Sequence, residues 1–140
     1  MERRELLVAA AALGASAIAR AAETPPSHAT VRASQPLFEV ASDCVKTAEL
    51  CEAHCVEMIE RGDTSLVECL RSVRALSAVC GALTVLAAQQ SPLLGRYAAV
   101  VREQCEACEK ECRKHAEHTV CRNCAESCAA CARECKAFAA

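Results

Sequence analysis

Aromatic residues are almost missing from this 140-residue sequence, which has no Trp and only Phe38, Tyr97 and Phe138. That scarcity excludes the stacking platforms on which single-stranded nucleic acid is bound. A formal net charge of -2 supplies no basic stripe for a phosphate backbone, so nucleic acid is not an expected partner. The sequence also shows no Ser–His–Asp set, no glycine-rich phosphate loop and no paired carboxylates in an apolar context, and an enzyme is therefore not expected. The leading apolar run, Leu6 to Ile18, is too short to span a bilayer, so no membrane span is expected. Glycine and proline number only four each, which leaves long stretches of Ala, Leu, Glu, Arg and Lys. Those residues lose little side-chain entropy in a helix, and an all-α domain follows.

What is present in excess is cysteine, with thirteen residues. Eight fall in the last third, as Cys105-x2-Cys108-x3-Cys112 and Cys121-x2-Cys124-x3-Cys128-x2-Cys131-x3-Cys135. Steps of three and four return a side chain to one face of an α-helix. At about 100° per residue, Cys121 to Cys135 lie within an arc of roughly 80°, and Cys105 to Cys112 within roughly 60°. Earlier in the chain Cys44, Cys51 and Cys55 share roughly 40°, and Cys69 and Cys80 roughly 20°. One or two such residues are ordinary small core hydrophobes, but thirteen in register point inward for a shared reason.

In chain order, residues 1–22 have the features of an export signal: Arg3-Arg4 followed by Leu6-Leu7, an apolar run, and Ala19-Arg20-Ala21 as a cleavage site. This predicts export, by a twin-arginine route, to the periplasm or another extracytoplasmic compartment. Residues 23–35, with Pro25-Pro26 and His28, are expected to be a linker. The bundle domain is expected over 36–138. Its first helix opens at Pro36 behind a Ser34 cap and runs to Gly62. The second is capped by Asp63 or Thr64 and runs to about Gln90. The third follows Ser91-Pro92, and the fourth covers about 120–138. Four helices joined by short turns make an antiparallel four-helix bundle. Leu66, Val73, Leu76 and Leu83 share the cysteine stripe of the second helix and give it an ordinary apolar core. Leu86, Leu93 and Leu94 are expected to close one end.

Three chemistries compete for the thiols. A disulfide framework, or a redox-active helical protein, is the default for such density in a short exported chain. The count is odd, however, and neighbours on one helical face meet disulfide geometry poorly. Zinc would take Cys105-x2-Cys108 with Cys121-x2-Cys124 as two knuckles, leaving nine cysteines without a role. Cys124-x3-Cys128-x2-Cys131 matches an iron–sulfur spacing, in a chain too short for the barrel that normally carries it. Cu(I) accepts two or three thiolates and can share them, which suits continuous ladders.

With these residues in view, the chain resembles the bacterial copper storage proteins, cysteine-rich four-helix bundles that fill their core with Cu(I). The resemblance covers about residues 36–138. It rests on Cys44, Cys51, Cys55, Cys69, Cys80, Cys105, Cys108, Cys112, Cys121, Cys124, Cys128, Cys131 and Cys135, and on the twin-arginine-like leader. It implies many Cu(I) ions per chain, a homo-oligomer that is typically a tetramer, and supply of copper to enzymes such as methane monooxygenase. It also implies extra ligands at His54 and Met58, flanking the third cysteine. In an up-down bundle these two gather with His115 and His118 at one mouth. For His115 and His118, ligation and charge placement at a helix C-terminus remain equal alternatives.

Overall fold

The computed structural model describes residues 28–139, with side chains from residue 33 onward. The expected leader and the first part of the expected linker lie outside the described residues. Four helices follow in order: α1 (His28–Glu60), α2 (Val67–Ala88), α3 (Leu94–Arg113) and α4 (Thr119–Ala139), with a 3-10 turn, Thr64–Leu66, ahead of α2. α1 packs on α2 and α4, and α3 packs on the same two, while among the described residues the backbones of the diagonal pairs stay apart and only their core side chains meet. This is the square section of an antiparallel four-helix bundle.

The start of α1 corrects the expected boundary. The helix begins at His28, so residues 28–35 are helical rather than linker, and Pro36 sits inside the helix rather than in its first turn. Ser34 is a buried helical residue rather than a cap. Pro36 forfeits one backbone bond, and burial of Ser34, Leu37 and Ala41 against the bundle holds the adjoining turns in place.

The turns show why the chain reverses where it does. Gly62 has φ +98°, and Gly62 N–H bonds Ile59 O at 2.9 Å while Asp63 N–H bonds Met58 O at 3.0 Å. This paired pattern satisfies the last carbonyls of α1 through a left-handed residue that glycine adopts without strain. Asp63 Oδ1 then accepts from Ser65 N at 3.0 Å and opens the next segment, as expected. The same terminal pattern recurs after α2, where Gln90 N–H bonds Ala87 O at 3.2 Å and Ser91 N–H bonds Leu86 O at 3.0 Å. Here the left-handed position is held by Gln90, at φ 51°, and its Oε1 is buried without a partner. Gln90→Gly is therefore expected to stabilise the protein by about 1 kcal/mol, visible as a rise in Tm. A fall in Tm would show that the Gln90 side chain holds this turn by packing.

Burial follows the stripes read from the sequence. Leu37, Leu66, Val73, Leu76, Leu83 and Val101 are fully buried, as are all thirteen cysteines. Leu94 is buried and Leu86 half-buried at the end opposite the Gly62 turn, but Leu93 is 50% exposed and does not help to close it. The rotation of α3's first turn that buries Leu94 turns its predecessor outward. Polar ties fix the helices laterally. Thr47 Oγ1 and Ser127 Oγ join α1 to α4 at 2.6 Å, Arg74 Nε donates to Glu52 Oε1 at 2.8 Å between α2 and α1, and Tyr97 Oη donates to Val79 O at 3.3 Å between α3 and α2.

The segment Thr64–Ala88 is long and apolar enough to cross a membrane by length and composition alone, with a mean hydropathy of 1.5. The core helix of a soluble bundle passes the same test, and this one turns Cys69, Val73, Leu76, Cys80 and Leu83 into the core.

Candidate metal centre

α1 contributes Cys44, Cys51 and Cys55; α2 Cys69 and Cys80; α3 Cys105, Cys108 and Cys112; and α4 the five from Cys121 to Cys135. Every one has zero exposure and none is bridged. Among the hydrogen-bonded thiols, Cys51 with Cys121 and Cys69 with Cys112 stand 3.7 Å apart. That is hydrogen-bonding distance for thiols and well beyond the roughly 2.05 Å of a disulfide.

The sulfurs converge in four groups, each with all members within 4.8 Å of one another: Cys44, Cys80, Cys105 and Cys131; Cys51, Cys55, Cys69 and Cys121; Cys51, Cys112 and Cys124; and Cys108, Cys124 and Cys128. Cys51 and Cys124 each serve two groups, so three of the four are linked through shared sulfurs. Cys135 lies outside them, 4.0 Å from Cys131. The arrangement does not reproduce the zinc knuckles considered from the spacing, because Cys105 and Cys108 belong to different groups, as do Cys105 and Cys121. Neighbours along a helix diverge here because each sulfur turns toward thiols on other helices.

Protonation is uneven within this core. Cys131 is held well below the usual thiol range, chiefly by S–H donation from Cys105, and Cys124 by donation from Cys108 and then Cys112. Cys121 is lowered in the same way by Cys51 and Cys55. Cys44 is lowered to about 6, with Cys105 the main donor. The donors pay the converse, since Cys105, Cys112 and Cys128 are pushed up by hydrogen bonds to their neighbours and by burial. Each cluster thus carries a sulfur already suited to be thiolate, the form that binds soft metal.

Three of the four histidines, His54, His115 and His118, gather at the end near the Gly62 and Thr119 turns. His54 Nε2 and His118 Nδ1 share a hydrogen bond of 3.0 Å, with ring centroids 4.8 Å apart. His54 and His118 are half-buried beside the group that contains Cys121, and His54 is among the charges acting on Cys121. His115 Nε2 lies 3.9 Å from Glu111 Oε1 with only 12% of its side chain exposed, so it leans back onto its own helix. Met58, one turn beyond His54 on α1, is half-buried against the core. Sequence reasoning brought His54, His115 and His118 to one end but did not distinguish the two partners from the third. The distinguishing signal is axial height, which depends on the stagger between α1 and the α3–α4 turn.

Fold and site together define a helical bundle whose interior is a ladder of buried, unbridged thiols, a container for soft metal ions. The comparisons make this specific. A family model described as copper storage protein matches residues 30–140, and the chain belongs to the copper storage protein family. It is 37% identical over 108 residues to the uncharacterised cysteine-rich protein YhjQ of Bacillus subtilis (strain 168), covering 76% of this chain and 96% of that protein. Among solved structures it resembles the Cu(I)-bound copper storage protein BsCsp3, with TM-score 0.72, 32% identity, and coverage of 77% of this chain and 99% of that one. Metal-free copper storage protein 3 from Bacillus subtilis matches with TM-score 0.68 at 32% identity, over 76% of this chain and 99% of that one. A cytosolic copper storage protein from Streptomyces lividans shares the fold, with TM-score 0.72 at 24% identity, over 81% of this chain and 97% of that one.

These neighbours overturn the expected export. A structural neighbour over most of the chain is described as cytosolic, so resemblance to the family carries no extracytoplasmic location. The pattern that suggested export, two arginines and an apolar run, is short and compositional. Its alanine-rich content is also that of ordinary helix-forming sequence.

Proposed function

We propose that this protein stores Cu(I), many ions per chain, on the thiolates of Cys44, Cys51, Cys55, Cys69, Cys80, Cys105, Cys108, Cys112, Cys121, Cys124, Cys128, Cys131 and Cys135. The observation that carries this reading is that all thirteen thiols are buried, unbridged and largely joined into groups through shared sulfurs. A continuous run of two- and three-thiolate positions suits an ion that accepts low coordination and bridging ligands. Loading replaces S–H protons by metal, so uptake releases protons, and affinity falls as pH drops. The chain has no catalytic role in this reading; its chemistry is binding and release. Anaerobic titration of the reduced protein with Cu(I) against a chromophoric chelator tests it. Saturation at one or two ions would replace storage by a discrete metal site.

His54 and Met58 serve as the outer ligands in this proposal. Imidazole and thioether hold Cu(I) less tightly than thiolate, so a mouth lined by them passes an ion inward without trapping it. Replacing both with apolar residues is expected to slow loading and chelator-driven removal several-fold while leaving capacity nearly unchanged. Stopped-flow loading and equilibrium titration of the same variant separate the two effects. Unchanged rates, or a collapse of capacity, would move entry elsewhere.

The homotetramer and the delivery of copper to enzymes such as methane monooxygenase also belong to the proposal. Self-association is supported by the outward side of α2, where Ala75, Ala78, Ala82 and Val85 are exposed in a stretch, Ala75 to Gly95, without a charged side chain. Light scattering on the eluting protein measures the assembly directly, and a monomer at micromolar concentration would remove it. Delivery requires that copper pass from the loaded protein to the metal-free recipient enzyme; failure to restore its activity would remove that step.

A further inference from the structure

Cys44, Cys80, Cys105 and Cys131 share no member with any other group, although Cys131 lies 4.0 Å from Cys135 and Cys44 reaches Cys128. The four come from α1, α2, α3 and α4 respectively, and all are fully buried. Their Sγ atoms lie within 4.8 Å of one another, and none of the four belongs to any of the other three groups. The second four-thiol set, by contrast, shares Cys51 with a three-thiol neighbour. The four sulfurs of the first set are thus enough by themselves to complete the coordination of one ion, without a sulfur that another group also uses.

Such a set exceeds what one Cu(I) needs. Four thiolates closing on one ion are instead the arrangement of structural zinc, with Zn–S of about 2.3 Å and, at the tetrahedral angle, sulfurs about 3.8 Å apart. Sulfurs already within 4.8 Å of one another reach that spacing by shifts of about 1 Å or less.

We propose that Cys44, Cys80, Cys105 and Cys131 form a closed tetrahedral site for one divalent ion of the zinc class, which pins all four helices at one level while copper is absent. Binding holds all four sulfurs as thiolates, releases to solvent only the protons they still carry as thiols, and leaves the site with a net charge of -2. As the store fills, Cu(I) takes the same thiolates in lower coordination and the divalent ion leaves. Neither sulfur nor metal changes oxidation state. Only this last step rests on the copper-storage reading.

The test is an anaerobic titration of the reduced, metal-free full chain with Co(II), which reports tetrahedral thiolate ligation through sulfur-to-metal charge transfer and intense d–d bands. Cys80→Ser and Cys105→Ser are each expected to lose the same single equivalent. Cys135→Ser, outside every group, is expected to lose none. Cys44→Ser and Cys131→Ser provide two further routes to the same site should either variant fail to give a helical circular dichroism spectrum. Zn(II) is expected to raise the Tm of the unsubstituted protein and to do so less in Cys80→Ser. Octahedral Co(II) bands, a tetrahedral spectrum indifferent to Cys80→Ser and Cys105→Ser, or an equal loss in Cys135→Ser would overturn the site. Adding Cu(I) to the zinc-loaded protein is expected to release one Zn(II) per chain to an indicator dye. Retention of zinc through full copper loading would overturn the displacement step. A sample that binds Co(II) as expected but no Cu(I) would count against storage and leave the tetrahedral site standing.

Discussion

Cys124→Ala is expected to lower the Cu(I) capacity by about two ions, the largest loss from any single thiol, because its sulfur belongs to both three-thiol groups. Removing it leaves Cys51 with Cys112, and Cys108 with Cys128, each short of a third ligand and of the bridge between them. Cys124 is also a sulfur that its neighbours hold toward thiolate, chiefly through donation from Cys108. The substitution therefore deletes an acceptor and leaves donors behind. Cys135→Ala removes a thiol that meets only Cys131, at 4.0 Å, and is expected to lose at most one ion. Equilibrium titration of the two variants side by side makes the comparison. Equal losses would mean that the thiols act as independent pairs and that the shared sulfurs have no special standing.

Leu76→Ala carries the largest expected effect on stability. Leu76 is fully buried midway along α2, on the wall that also holds Val73 and Leu83, with Val101 contributed by α3. Truncating a buried Leu costs about 2–5 kcal/mol, and in a domain of this size the metal-free Tm is expected to fall on the order of 10–20 °C. The unsubstituted metal-free protein is expected to stay strongly helical, since its apolar wall is complete without any ion, unlike a small zinc-nucleated domain. Copper loading is expected to raise the Tm of both proteins, because an ion bound only by the folded state stabilises it. Circular dichroism melts with and without copper check all three statements. A coil spectrum for the metal-free protein would show that the thiol core cannot hold the bundle together unfilled.

Local periodicity alone determined the helices, their inward faces and the chemistry of the core. Steps of three and four place a thiol by reference only to its own helix, and the stripes Cys44–Cys51–Cys55 and Cys121 to Cys135 are buried as their spacing required. Gly62 likewise marked the end of α1, because a left-handed closing residue is a local demand that glycine meets. Gln90 occupies the equivalent position after α2, and no local preference announces a glutamine there.

Other features belonged to the tertiary structure. Pro36 looked like a helix start, yet packing of Leu37 and Ala41 carries α1 straight through it. Cys105 and Cys108 looked like two halves of one knuckle, yet they face different partners across the bundle. Leu93 looked like a cap, and His115 like an equal of His118, until rotation and axial stagger separated them. The grouping of Cys44 with Cys80, Cys105 and Cys131 depends on the relative heights of four helices. Those heights are set by loop lengths and by how the Leu, Val and Ala side chains interdigitate, which no spacing within a single helix encodes.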